Sequence, residues 1–470
     1  MTKCTHAAFD FHTVGGRSVH ASFDGGCITS EGGGLLLREV ERRFGIVART
    51  AACFKDFRNP DALEHTLHSL IAQRVFGPAL GYEDLNDHDQ LRADPLLALL
   101  AECADPTGST RRREQDKGCA LAGKSTLNRL ELSPADASAG SRYKKIVYDE
   151  RAFENLFVDL FLDAHTSPPE QIVLDVDATD DPLHGNQEGR FFHGYYKNYC
   201  YLPLYIFCGE YLLCAKLRTA DRDAADGTVE EVQRLVARIR ARWPQAKIIL
   251  RGDSGFCRDA LLLWCENNGV RYVIGLARNK RLEKELRDDL DAAKIGWSIT
   301  GHATRFFHDF TYRTHDSWSC ERRVVGKAEY LDKGENPRFV VTNISTEELP
   351  GRALYEGFYC ARGDMENRIK EQQLYLFADR TSTATLRANQ LRLWFSSVAY
   401  TLLQALRRVG LKGTAMEKAQ CGTIRLKLLK IGALVQVTVR RIVISLASGC
   451  PYQTIFEQAF RALQGLPLRC

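Results

Sequence analysis

Two periodicities divide the chain. Up to about residue 165, apolar residues recur at helical spacing, as in "GLLLREVERRFGI" and "ALEHTLHSLIAQRVFG", and a polar break falls at "SPADASAGSR". From residue 171 the pattern changes to β-branched runs. "QIVLDVDAT", "YCYLPLYIF" and "YLLCAKLRTA" predict three successive strands, the last two joined as a hairpin by "CGE". "TVEEVQRLVARIRARWP" then predicts a helix that opens on a Thr228/Glu231 capping box, faces inward with Val232, Leu235, Val236, Ile239 and Trp243, and stops at Pro244. "KIILRGDSGF" reads as a strand covered on both faces, "RDALLLWCENNG" as a helix and "VRYVIGLA" as another strand. The order β-β-β-α-β-α-β is that of a mixed sheet with helices on it. Residues 283–349 alternate apolar and polar ("WSITGHATRFFHDFTYRT", "CERRVVGKAEYL", "RFVVTN") and predict an inserted antiparallel β unit. Helices return with "GRALYEGFYCARGDMENRIKEQQLYLF".

Composition adds bounds. With 470 residues and 44% hydrophobic content, the chain is long enough for two or three cores. No apolar run reaches membrane-spanning length and "MTKCTHAAFDFHTVGG" has no hydrophobic signal region, so a soluble, cytoplasmic protein without a membrane partner is expected. Fifteen cysteines without a CxxC pair argue against a disulfide framework or structural zinc, and most are expected to be reduced and buried. The net charge is only +5, yet residues 401–470 hold eleven Lys/Arg against two acids. That tail suits a phosphate backbone, and equally a solvated basic helix face.

"GCALAGKST" matches the Walker A pattern through Gly118, Gly123, Lys124 and Ser125. A phosphate-binding loop of that kind leaves a buried strand, whereas the preceding "STRRREQDK" has no apolar residue to form one. The match is read as an accident, and no ATP is expected.

Carboxylates carry the chemistry. Asp175 and Asp177 alternate on the first strand and share a face near its C-terminal end, while Asp253 ends a second buried strand in the "RGDSG" turn. Buried strand-end carboxylates need partners or a cation, and each is also suited to capping a turn. A pair of Mg²⁺ ions held by such carboxylates can clamp the attacking and leaving oxygens of a phosphodiester exchange. On an ideal helix, Tyr359, Arg362, Glu366, Lys370 and Gln373 fall in one narrow stripe. A metal-binding Glu flanked by phosphate-binding cations accounts for it; the competing reading is an i to i+4 ion-pair ladder of Arg362, Glu366 and Lys370.

The segments "LDVDATDDPLHGNQEGRFFHGYY", "IILRGDSGF" and "YCARGDMENRIKE" resemble DDE transposases of bacterial insertion sequences, in the group with a Tyr-x2-Arg-x3-Glu-x6-Lys signature. The resemblance spans about residues 165–400. It implies a ribonuclease H-like catalytic domain in two parts, 166–282 and 350–405, around the 283–349 insertion. A helical DNA-binding region over 1–165 and a basic helical C-terminal region over 406–470 complete the expected α/β architecture. It further implies Mg²⁺-dependent cleavage and strand transfer on the element's terminal inverted repeats, with Mn²⁺ as a substitute. The protein would act as a homodimer on double-stranded DNA, associated with the bacterial nucleoid.

Carried over, the acids are Asp177, Asp253 and Glu366, with Asp175 as the alternative first ligand. Tyr359 and Arg362 match the signature, but its Lys position is Gln373, with Lys370 one turn earlier as a substitute. Arg190, His193 and Lys197 are candidate DNA contacts, as is His184. Trp297 and Trp318 are candidates to stack on a flipped base, against ordinary packing. The rival reading is a catalytically silent relative that only binds DNA.

Overall fold

The computed structural model describes residues 9–468 of the chain, so Cys4, Arg469 and Cys470 lie outside the described residues. The chain divides into two compact units, Asp149–Ser397 and a second drawn from Met1–Tyr148 with Val398–Cys470.

In the first unit, α1 (Glu150–Asp163) precedes three strands, β1 (Ile172–Ala178), β2 (Leu204–Cys208) and β3 (Tyr211–Lys216). β2 lies antiparallel to both β1 and β3, and Gly209 makes the hairpin turn at φ 59°, a conformation open to glycine at no steric cost. The run "YCYLPLYIF" is divided. Its first three residues belong to the strand Asn198–Tyr201, which pairs instead with Asp181–Pro182 and Phe191–His193 in a small separate sheet. Pro203, which has no N–H to give to a ladder, separates the two parts.

α2 (Thr228–Arg242) forms as its periodicity predicts, but its cap differs. Gly227 is the N-cap at φ 73°, and Glu231 does not reach back to the N-terminus. Its carboxylate is buried against Lys216 at 2.7 Å and Arg234 at 2.9 Å; burial demanded full pairing, which one backbone N–H cannot supply. β4 (Ile248–Gly252), α3 (Asp259–Asn267) and β5 (Arg271–Leu276) follow, with β4 parallel to both β1 and β5.

Residues 283–349 hold antiparallel strands, preceded by a helix that the alternation did not predict. "WSIT" ends the helix α4 (Arg287–Thr300), which buries Leu290 and Ala293 and stops at Gly301, φ 66°. β6 (Thr304–Tyr312), β7 (Arg322–Leu331) and β8 (Arg338–Thr342) extend the same sheet, giving the order β3-β2-β1-β4-β5-β8-β7-β6, with Gly334–Glu335 paired to β7. The free edge of β5 supplies unpaired backbone groups, and β8 takes them in antiparallel register from Val273↔Thr342 to Leu276↔Phe339. One face of the sheet packs Leu174, Val176, Val324 and Val341 against Phe161 of α1, Leu235 of α2 and Leu262 of α3. On the opposite face Val273, Val325 and Val340 meet Leu354 and Tyr355.

Those last two residues belong to a segment expected to be one α-helix. It is a π-helical turn at Ala353–Tyr359, a 3-10 turn at Cys360–Arg362 and only then α5 (Gly363–Leu376).

In the second unit the predicted helices form at Leu35–Phe44 and Leu67–Leu80, the latter capped by the Thr66 hydroxyl, which accepts the Ser69 N–H at 3.1 Å. The N-terminal segment also holds strands: Phe9–Val14 pairs with Arg17–Ala21, and Phe54–Asp56 with Ile146–Tyr148. Nor is the basic C-terminal region helical throughout. Ala433–Val437 lies between Ile28–Thr29 and Ile442–Leu446 in a three-stranded sheet, since β-branched alternation in "ALVQV" and "IVISL" fits a half-buried strand.

No strand feeds the Walker-like stretch. A 3-10 turn at Glu114–Asp116 precedes it, the Lys124 N–H donates to Asp89 at 2.9 Å, and its ammonium lies 3.3 Å from both Asn86 and Asp89. No disulfide joins the described cysteines; Cys200, Cys214 and Cys265 are buried, while Cys27, Cys320 and Cys360 are exposed. Burial is therefore less general than expected. No helix among the described residues is long and apolar enough to cross a membrane.

Gly33 is the tightest backbone approach of this unit. A Cβ there would run into the Leu428 carbonyl and the Leu429 Cα, and neither backbone atom can rotate away. Gly33→Ala is expected to lower stability by about 2 kcal/mol or more through overpacking, read as a drop in the urea midpoint at unchanged slope. An unchanged midpoint would show that this approach is slack.

Candidate active site

The face of β1 opposite the main core carries Val173, Asp175 and Asp177, because alternate residues of a strand share a face. Asp175 is opposite Arg251 in the β1–β4 register and pairs with it bidentately, Nε to Oδ1 at 2.5 Å and Nη2 to Oδ2 at 2.8 Å. The third arm of the guanidinium, Nη1, donates to the Phe358 carbonyl at 2.5 Å. With its charge neutralised in the interior, Asp175 has the geometry of a structural partner.

Two residues on, Asp177 is at the strand end. Its Oδ1 accepts the Ala178 N–H at 2.9 Å and its Oδ2 accepts from Arg362 at 3.2 Å. Arg362 also donates to Glu366 at 2.7 Å, so one guanidinium stands between two carboxylates. Asp253 caps the 3-10 turn Ser254–Phe256 through Oδ1, which accepts the Gly255 N–H at 2.8 Å. Its Oδ2 has no protein donor among the described residues. Burial, with Asp253 and Glu366 nearby, pushes the Asp177 carboxyl up to about 6 against the pull of Arg362. The three acids and Arg362 therefore occupy one electrostatic neighbourhood.

Tyr359 joins it. Its hydroxyl is raised by burial and lies in the fields of Arg362 and Asp253. A Cβ at Gly275 of β5 would stand 2.5 Å from that hydroxyl and 2.9 Å from the Ser254 nitrogen; glycine leaves the room that both use.

The other sequence candidates scatter. Of the ion-pair ladder that was the competing reading, only Arg362–Glu366 forms, and Lys370 is exposed. Gln373 turns inward, its amide donating to the Asp180 carbonyl and to Asp181 Oδ1, both at 3.1 Å. Arg190 stacks 3.7 Å over the Tyr199 ring, Lys197 makes a left-handed turn residue at φ 56°, and His184 is exposed. His193 is in ring contact with Tyr196 at 5.0 Å. Trp318 is core, only 4% exposed and packed on Tyr312, so base stacking there is overturned. Trp297 is in the last turn of α4, bonded to Asp332 at 3.2 Å and packed on Tyr330.

Two residues escaped the sequence reading. Tyr196 has its hydroxyl pushed up to about 12 by burial and by the charges of Asp180 and Asp177. Arg251 joins three segments; the signal for it was its position two residues before Asp253, on the strand face that Asp175 and Asp177 share.

Hard carboxylate oxygens in excess of one cation fit a divalent ion, and Asp253 Oδ2 is available for one. Among the described residues, however, no three His, Cys, Asp or Glu side chains converge closely enough to hold a metal as they stand.

The sequence matches a family described as "Transposase DDE domain group 1" over residues 11–468. The chain belongs to this family of transposases. Membership assigns it to DNA transposition in general, and DNA is the partner of that process. Among solved structures, this transposase-family chain is similar to "piggyBac transposase synaptic complex with hairpin DNA", determined by cryo-EM. The alignment covers 84% of this chain and 79% of that one at 11% identity, with a TM-score of 0.39. A comparison with curated proteins gave no match.

Two outcomes are expected of this site. Between about pH 4 and 6 the folded chain keeps a proton on Asp177 that the unfolded chain has released, so stability falls as pH rises through that window and the penalty persists above it. Asp177→Asn should therefore stabilise the metal-free protein at pH 7.5 by about 1–3 kcal/mol and much less at pH 4, checked by thermal melts at both values. Arg251→Met should cost about 3–5 kcal/mol by leaving Asp175 buried and unpaired, with much of it regained in the Asp175→Leu double variant. Additive losses in urea titrations would contradict the pairing.

Proposed function

We propose that the protein is a metal-dependent DDE transposase of a bacterial insertion sequence. It binds the element's terminal inverted repeats, nicks the ends and transfers the freed 3′ hydroxyl to target DNA, working as a homodimer in the bacterial cytoplasm. The observation that carries the reading is that Arg362, on a segment distant in sequence, donates to both Asp177 and Glu366, with Asp253 at the neighbouring strand end within the field of Asp177. The strand order β3-β2-β1-β4-β5, with its antiparallel first three strands and parallel β1-β4-β5, supports a ribonuclease H-like core.

Asp177, Asp253 and Glu366 would hold Mg²⁺ or Mn²⁺. When bound, these ions supply charge neutralisation at the scissile phosphate and activation of the attacking and leaving oxygens. The chain's own part is placement. Asp177 is fixed at the floor, 16% exposed, and Glu366 at the mouth, 43% exposed. Arg362 neutralises the pair before DNA arrives. Released from them, its planar fork suits two oxygens of a phosphate. Tyr359 lies in the field of Arg362. Lys370 is left to the strand beyond the cut, and Arg190, His193 and Lys197 to the neighbouring duplex.

The test is cleavage of labelled DNA carrying the element ends, with Mg²⁺ or Mn²⁺, with and without ATP, beside Asp253→Ala. Metal-dependent nicking without ATP, reduced at least about 100-fold in the variant, is the expected result. Nicking that survives the mutation would overturn the site. Binding without cleavage in the wild type would leave the silent DNA-binding relative.

A further inference from the structure

A dense positive feature of the second unit lies outside its basic C-terminal region. The strand pair Phe54–Asp56 with Ile146–Tyr148 brings together the loops on either side, closed by the Phe57 N–H to Lys145 carbonyl bond at 2.8 Å. Between them opens a cavity of about 450 Å³, lined by Arg58, Arg112, Arg113, Arg129, Arg142 and Lys145 against one acid, Glu64. A second cavity of about 320 Å³ shares Arg113, Thr126 and Arg129 with it, so the groove runs on along the helix Lys124–Glu131.

The local acids are already committed. Asp56 holds Arg58 bidentately, Glu64 is at 3.3 Å from Arg111, and Asp116 is at 3.3 Å from Arg92. Arg112, Arg113, Arg129 and Arg142 are exposed and have no carboxylate partner among the described residues. His65, lining the same wall, is held down to about 4 by burial and by Arg111 and Arg58, and so stays neutral at pH 7. At the rim Tyr143 is 58% exposed, with the guanidiniums of Arg129 and Arg142 at 5.2 and 4.9 Å from its ring centroid.

Like charges gathered from three loops and a helix repel one another, and an aromatic ring left largely in water contributes little to folding. Both make sense if a polyanion with flat groups supplies the missing half. We infer that this groove binds the phosphodiester backbone of duplex DNA, with Arg112, Arg113 and Arg142 on phosphates and Tyr143 against a sugar or base edge. The inference rests on the reading of the chain as a protein that acts on DNA, and it gives "TRRREQDKGCALAGKST" a role without nucleotide binding: the stretch delivers two arginines and Thr126 to the groove. It adds a binding site independent of the carboxylates.

The experiment measures affinity of the full chain for a random-sequence duplex by fluorescence anisotropy across a salt series, in EDTA so that no cleavage intervenes. The triple variant Arg112→Gln, Arg113→Gln, Arg142→Gln should bind about tenfold or more weakly at physiological salt and lower the log–log salt slope by about 3, close to 0.9 for each phosphate no longer neutralised. The corresponding triple Arg→Lys variant should keep the slope. Unchanged affinity and slope in the Gln variant would overturn the groove. A benzophenone amino acid placed at position 143 gives an independent reading, with crosslinking to bound duplex expected and its absence contradictory. If wild type binds no duplex, both this site and the transposase reading fail. If wild type binds and the groove variant matches it, only this site fails.

Discussion

The candidate active site depends on one buried arginine. Arg251 spends its guanidinium on Asp175 and on the Phe358 carbonyl. Each of its anchor points is close in sequence to a residue of the site: Asp175 is two before Asp177, Arg251 itself two before Asp253, and Phe358 directly before Tyr359. A buried charge left unpaired is costly, so the three segments have little freedom to slide relative to one another. Strand alternation then aims Asp177 and Asp253 to the same side, and the π turn sets where α5 begins.

That turn shows how far a sequence can be read. At ideal spacing, Tyr359, Arg362, Glu366, Lys370 and Gln373 fall in one stripe; the actual backbone passes through a π and a 3-10 turn before the α-helix begins at Gly363. Tyr359 and Arg362 still reach the carboxylates, whereas Gln373 faces Asp180 and Asp181. The strands were legible because apolar runs such as "KIILRG" have one stable use in a covered sheet. Their neighbours were not: nothing local says that β8 will pair with β5, or that Ala433–Val437 will lie beside Ile28–Thr29, because those choices are made by long-range backbone pairing. The Thr228/Glu231 box failed for a related reason, since Glu231 of α2 was claimed by Lys216 of β3.

The site residues were legible as types and spacing; their electrostatics were not. Asp177 is kept partly buried beside two further acids with a single arginine for relief, which raises its carboxyl to about 6. Folding alone would favour an amide at such a position. Retaining the carboxylate carries a desolvation cost that Arg362 offsets in part, and under the proposed function a bound cation would offset more. In the second unit, too, surplus charge marks a place where the fold leaves work for a partner.

The central claim is that Asp177, Asp253 and Glu366 hold one metal centre. Fe²⁺ in place of Mg²⁺, with ascorbate and peroxide, generates hydroxyl radicals that cut the backbone beside the ion. Mapping those cuts tests the claim most directly. The account predicts cleavage in three segments together, around 175–178, 252–256 and 362–367, suppressed by excess Mg²⁺ and absent from Asp253→Ala. Cuts confined to one segment, or elsewhere in the chain, would contradict it.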